Sequence, residues 1–210
     1  MQSSSCMSQS CLPQTKLNPK IRFALVVVLS VALAGTGCSA QWLNVALADL
    51  PALTQMALNI ATLVTTLQSG KQIDPAEITA VQNISAEASQ DLSLLQSLYN
   101  EYKANPNAST LQNIQDMIAK ITQSLPVLLQ SAHISDPVMS ARVSAGVNLI
   151  MTTVASFAAL MPQRTPTPSE TTTKIAIPNA KELKKQWNQQ VCGPTPNSTS
   201  HATIDACVVR

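Results

Sequence analysis

A chain of 210 residues with 45% apolar, 3% aromatic and 11% charged residues can bury a core, yet it must build its polar surface from Ser, Thr, Gln and Asn rather than ion pairs. Five glycines, few aromatic residues and abundant Ala, Leu, Gln and Met favour helix and argue against an all-β fold. Between Gln41 and Pro162 four basic residues face eight acidic ones, a formal −4, so this part has no electrostatic footprint for a nucleic-acid backbone.

Residues 1–37 read as a signal peptide. Lys16, Lys20 and Arg22 form a basic region, and Phe23 to Ala34 is an apolar run interrupted only by Ser30. Its twelve residues fall short of the roughly 20 that a membrane-spanning helix needs. Small residues follow at once, Gly35-Thr36-Gly37-Cys38, where a signal peptidase requires them. This segment resembles the lipobox of bacterial lipoproteins, although Gly35 stands where that motif usually has Leu. The resemblance implies cleavage before Cys38, acylation of Cys38 by chains such as palmitate, and attachment to a membrane of the cell envelope. Ser39 after the cysteine fits outer-membrane sorting, facing the periplasm, in a two-membrane cell. Ordinary cleaved secretion and an uncleaved anchor are the competing readings, and translation from Met7 is compatible with the same leader.

From Cys38 to Met161 the pattern predicts an up-down four-helix bundle. Ala46, Leu50, Leu53, Ala57, Ile60, Val64 and Leu67 repeat at alternating four and three, one apolar helix face closed by Gly70. Asp49 before Pro51 reads as the cap of a break in that helix. Asp74-Pro75-Ala76-Glu77 is the clearest start signal in the chain: a cap, a first-turn Pro and an acid at the third helical position, as in a capping box. Ile78, Val81, Ile84, Ala88, Leu92, Leu95, Tyr99 and Tyr102 continue as one face until Asn105-Pro106.

A third helix starts near Asn107 or Ser109 with Leu111, Ile114, Ile118, Ile121, Leu125, Leu128 and Ala132, and Pro126 predicts a kink. Ser135-Asp136-Pro137 opens a fourth, with Val143, Val147, Ile150, Val154, Phe157 and Met161 as its stripe. Its uncharged stretch from Val143 to Gln163 has a membrane span as an alternative reading, which Ser144, Asn148, Thr152, Thr153 and Ser156 oppose. Short connections between such helices imply antiparallel neighbours.

Residues 162–178 are Pro- and Thr-rich and read as a linker. Residues 179–210 predict a short basic helix and a loop closed by a Cys192–Cys207 disulfide, the two cysteines left once Cys6 and Cys11 depart with the leader and Cys38 is acylated. Zinc is the rival for that pair, but His201 is the sole histidine in the loop. On the helix, Lys181, Lys184 and Lys185 accompany Leu183, Trp187 and Val191, which share one face. Two readings compete there: Lys181, Lys184, Lys185 and Trp187 touch anionic lipid or an acidic partner, or Trp187 docks on the bundle while the lysines face water.

Catalytic constellations do not emerge. Gly-x-Ser-x-Gly, a Gly-rich phosphate loop and the Glu-x-x-His pattern of di-iron bundles are all missing from the sequence. His133 falls at the end of the third helix, where it suits the negative helix terminus. Glu87 and Asp91, one turn apart, read as solvating charges on an exposed face, as do Glu101 and Asp116. The sequence therefore predicts no catalytic residue, cofactor or metal. It predicts instead a non-catalytic interaction or structural lipoprotein with a possible envelope protein partner, with a helical-bundle carrier of a small hydrophobic ligand as the alternative.

Overall fold

In the computed structural model every described element is a helix, and the chain forms an α-helical bundle stapled by a disulfide. The structure describes residues 39–67, 73–161, 179–193 and 207–209. The predicted signal peptide, Cys38, the predicted Gly70 stop, the predicted 162–178 linker and His201 lie outside the described residues.

Helix α1, Ser39–Leu67, runs unbroken through Pro51, so the expected break at Asp49 does not occur. Pro51 lies on the exposed side, where the hydrogen bond it removes leaves a carbonyl that water can satisfy. Asp49 is buried instead, at 1% exposure, and serves a different element, described below. The predicted stripe from Ala46 through Val64 is buried throughout.

Helix α2, Pro75–Ala104, begins where its sequence signal falls, with the Asp74 side chain accepting the Ala76 N–H at 2.9 Å. Glu77 departs from the capping-box expectation. Its carboxylate reaches another part of the chain and accepts from the Ser135 N–H, 3.1 Å away, and from the Ser135 hydroxyl. An acid at the third helical position of one helix thereby fixes the turn before another.

Helix α3, Ala108–Ser131, is capped by Asn107, whose side chain accepts the Thr110 N–H at 2.8 Å, and it continues through Pro126. It ends at Ala132, after which His133 adopts φ 45°, the left-handed conformation with which many helices close. Helix α4, Pro137–Leu160, starts on Asp136, which accepts the N–H groups of both Val138 and Met139 at 2.9 Å.

Successive helices alternate in direction. Ser85 in α2 donates to the Ala57 carbonyl of α1 at 2.7 Å, and Lys120 in α3 meets Asp91 in α2 at 2.7 Å. At the end where α1 begins, Trp42 of α1, Tyr99 of α2 and Phe157 of α4 stack edge to face, with centroids 5.6 and 6.3 Å apart. Two segments, Gln41–Val64 and Pro137–Leu160, are long and apolar enough to cross a membrane, with mean hydropathy 1.3 and 1.6. In the bundle both turn their stripes inward, and three of the polar residues they bury, Asp49, Asn59 and Arg142, find partners on the C-terminal segment.

Candidate functional site

That C-terminal segment is met by three of the buried polar side chains, Asp49, Asn59 and Arg142. Helix α5, Ala180–Gln190, is capped by Asn179, which accepts the Glu182 N–H at 3.0 Å. Its one apolar stripe, Leu183, Trp187 and Val191, is fully buried. Cys192 and Cys207 are joined in a disulfide, as predicted, and both cysteines are fully buried.

Trp187 therefore belongs to the interior. Gly146 in α4 makes room for it: a Cβ there would meet the Trp187 ring at 3.0 and 3.2 Å and Ile60 of α1 at 3.7 Å. The indole N–H donates to the Cys207 carbonyl at 2.9 Å. A ring held this way offers nothing to lipid or to a partner, and the docked reading of Trp187 replaces the contact reading. Lys181 and Lys185 are exposed, with Lys185 3.7 Å from Glu182, while Lys184 is half-buried. The helix thus separates its apolar face from its lysines, of which Lys181 and Lys185 are exposed.

Three polar side chains of the bundle bind the C-terminal segment through its main chain. The Arg142 guanidinium, 4% exposed, donates to the carbonyls of Val191 and, at 2.8 Å, Gly193, on either side of Cys192. Burial pushes its pKa down from the ordinary arginine value. Asn59 donates to the Cys207 carbonyl at 3.0 Å. Asp49 accepts the backbone N–H of Ala180, and burial raises its pKa above the usual carboxylate value, an effect that this N–H partly offsets. Within the segment, Asn188 and Val209 exchange two hydrogen bonds, 3.0 and 3.1 Å. Gly193 is required by close approach, since a Cβ would sit 2.4 Å from the Gln189 carbonyl oxygen.

A second cluster lies on the outer side of α2 and α3. Lys120 bridges Asp91 at 2.7 Å and Glu87 at 3.0 Å, and both carboxylates raise its pKa, Asp91 first. Asp91 is only 2% exposed, so it is not the solvating charge its sequence position suggested. Beside it runs an open groove of about 460 Å³ lined by Glu87, Lys120, Gln123, Ser124, Val127 and Leu128. Glu101 accepts from the Thr110 hydroxyl at 2.8 Å and so ties the end of α2 to the start of α3, while Asp116 accepts from the Gln112 amide at 2.9 Å within one turn of α3. His133 is exposed at its helix end. Among the described residues no three His, Cys, Asp or Glu side chains come together as a metal site.

Sequence reasoning passed over Arg142 and misassigned Asp49. The available signal was their place on the flank of an apolar stripe, Arg142 beside Val143 and Asp49 beside Leu50. Such a flank becomes interior when a fifth helix packs on it.

The fold and this site define a disulfide-stapled helical bundle closed by its own C-terminal helix. In comparisons with protein-family models, with curated proteins and with solved structures, nothing matches this chain.

Proposed function

We propose that this chain is a lipid-anchored, non-catalytic protein of the bacterial cell envelope, held by acyl chains on Cys38 and serving as a structural or interaction module. The observation that carries the reading is the order of segments: a basic region, a twelve-residue apolar run and Gly35-Thr36-Gly37-Cys38. The non-catalytic part is supported by how the buried polar groups are used. Glu77, Asp49, Asn59, Asp91 and Arg142 all hold elements of the fold together rather than converging on an open cleft.

The test is intact-mass spectrometry of the chain expressed with its own leader in a bacterial host. A mass beginning at Cys38 and carrying acyl chains is expected, and Cys38→Ser should leave the leader uncleaved and unacylated. A wild-type mass that retains residues 1–37, or an unacylated mature chain, would sink the reading.

The groove between α2 and α3 favours a second reading, a carrier of a small hydrophobic molecule. It offers Val127 and Leu128 as an apolar wall beside a charged rim, and its volume falls within the usual range of ligand pockets. Native mass spectrometry of gently purified protein is the discriminator, since a carrier should retain a co-purifying hydrophobe.

A further inference from the structure

The groove beside α2 and α3 has two unlike ends. Lys120, Gln123, Ser124, Val127 and Leu128 recur along α3 at helical steps of three and four, so they follow one another on a single side of that helix, and Glu87 of α2 completes the lining. Charge therefore gathers at Lys120, while Val127 and Leu128 form an apolar wall two turns further on, ~10 Å along the axis. Val127 is 63% exposed, more than any other large apolar side chain among the described residues.

The charged end is acidic in sum. Lys120 lies 2.7 Å from Asp91 and 3.0 Å from Glu87, one ammonium between two carboxylates, and both raise its pKa so that it stays protonated. Asp91 is 2% exposed and offers Lys120 one oxygen only; its second oxygen, Oδ2, is buried and accepts no hydrogen bond. The two oxygens of a carboxylate cannot lie far apart, so this open acceptor stands close behind the lysine. Ser124 lines the groove itself, and its buried hydroxyl also has no hydrogen-bond partner. A buried acceptor without a donor is unfavourable, the more so when it is charged. An anion brought here would meet two carboxylates, and a plain hydrocarbon would leave both atoms unfilled. A cation rich in N–H donors supplies what this end lacks.

We propose that this groove binds a single-chain primary amine, with its ammonium beside Lys120 among Glu87, Asp91 and Ser124 and its alkyl chain along Val127 and Leu128. The proposal rests on the carrier reading of the groove and names the chemical class of its ligand; it does not depend on Cys38 being acylated. Two ammonium groups then face two carboxylates, charge-assisted hydrogen bonds fill the open acceptors, and the chain covers the exposed apolar wall.

The test photolabels the full-length chain with an octylammonium probe that carries a diazirine in its chain, in competition with octylamine, octanol or octanoate. Mass spectrometry of the digested protein should place the label on residues 120–128 of α3. Octylamine should displace the probe at a concentration roughly tenfold below that needed of octanol or octanoate. Glu87→Gln, on the half-exposed side of the bridge, should weaken competition by octylamine about twofold to fivefold and leave octanol unchanged. Val127→Ser, at an exposed position where folding is not at stake, should weaken octylamine and octanol alike. No label on this stretch of α3 removes the carrier reading of the groove and the proposal with it. Label there that octanol displaces as well as octylamine, or that octanoate displaces better, keeps a hydrophobe site and overturns the amine. Competition by octylamine that is indifferent to Glu87→Gln overturns it too.

Discussion

At Asp49 a carboxyl group faces the N-terminus of α5, with Lys184 and Ala180 sharing the cleft beside it, and burial outweighs the Ala180 N–H in setting its pKa. A carboxyl whose folded pKa lies above its unfolded value of about 3.8 favours the folded state most below that value, and the advantage is lost as pH rises through the folded pKa. Asp49→Asn keeps an acceptor for Ala180 and removes the titration. It should raise the melting temperature at neutral pH and flatten the dependence between acid and neutral pH. Thermal melts showing the wild type losing stability on acidification, and the variant not, would mean the helix end outweighs burial. His133 offers a second single-residue test. Its φ of 45° suits glycine, so His133→Gly should stabilise the protein by about 1 kcal/mol in denaturant titration.

For elements, the informative unit is α5 with its disulfide. Gly146→Ala would push a methyl group against the Trp187 ring, which lies 3.0 Å from the added atom. A cost of about 1–3 kcal/mol follows, with a red shift of Trp187 fluorescence as the ring is displaced. Removing the Cys192–Cys207 bridge by a double Cys→Ser change should cost about 3 kcal/mol for a separation of 15 residues. Hydrogen exchange should then rise first in α5 and at 207–209, because the apolar stripe that ties them to α1 and α4 is short. Equal acceleration in α2 and α3 would show that the clasp and the bundle open as one unit.

For the whole molecule, four apolar stripes converge on one interior, and α2 and α3 are also joined by charge across their seam. Lys120→Met leaves Asp91 buried at 2% exposure without its cation, whereas Glu87→Gln touches only the half-exposed side of the same bridge. Urea melts should show a loss of about 2–3 kcal/mol for the first and under about 1 kcal/mol for the second. Similar values for both would mean that Asp91 finds water when Lys120 is removed.

What could be read from the chain alone was local in origin. Asp74-Pro75, Asn107 and Asp136-Pro137 announced three helix starts because a cap and a first-turn Pro act within four residues of backbone. The stripes from Ala46 to Val64 and from Val143 to Phe157 were legible because helical periodicity sorts a face before any partner is known. Cysteine counting led to Cys192–Cys207 for a similar reason, since few thiols remained to pair. Tertiary structure decided the rest. Periodicity marks a face as apolar but does not say which neighbour covers it, so the place of Trp187 against Gly146 could not be read from spacing. Nor could the fates of Asp49, Asp91 and Arg142. A charge on the flank of a stripe is surface or interior according to whether a cation, a helix end or a run of carbonyls arrives from elsewhere in the chain, and packing alone brings those partners within reach.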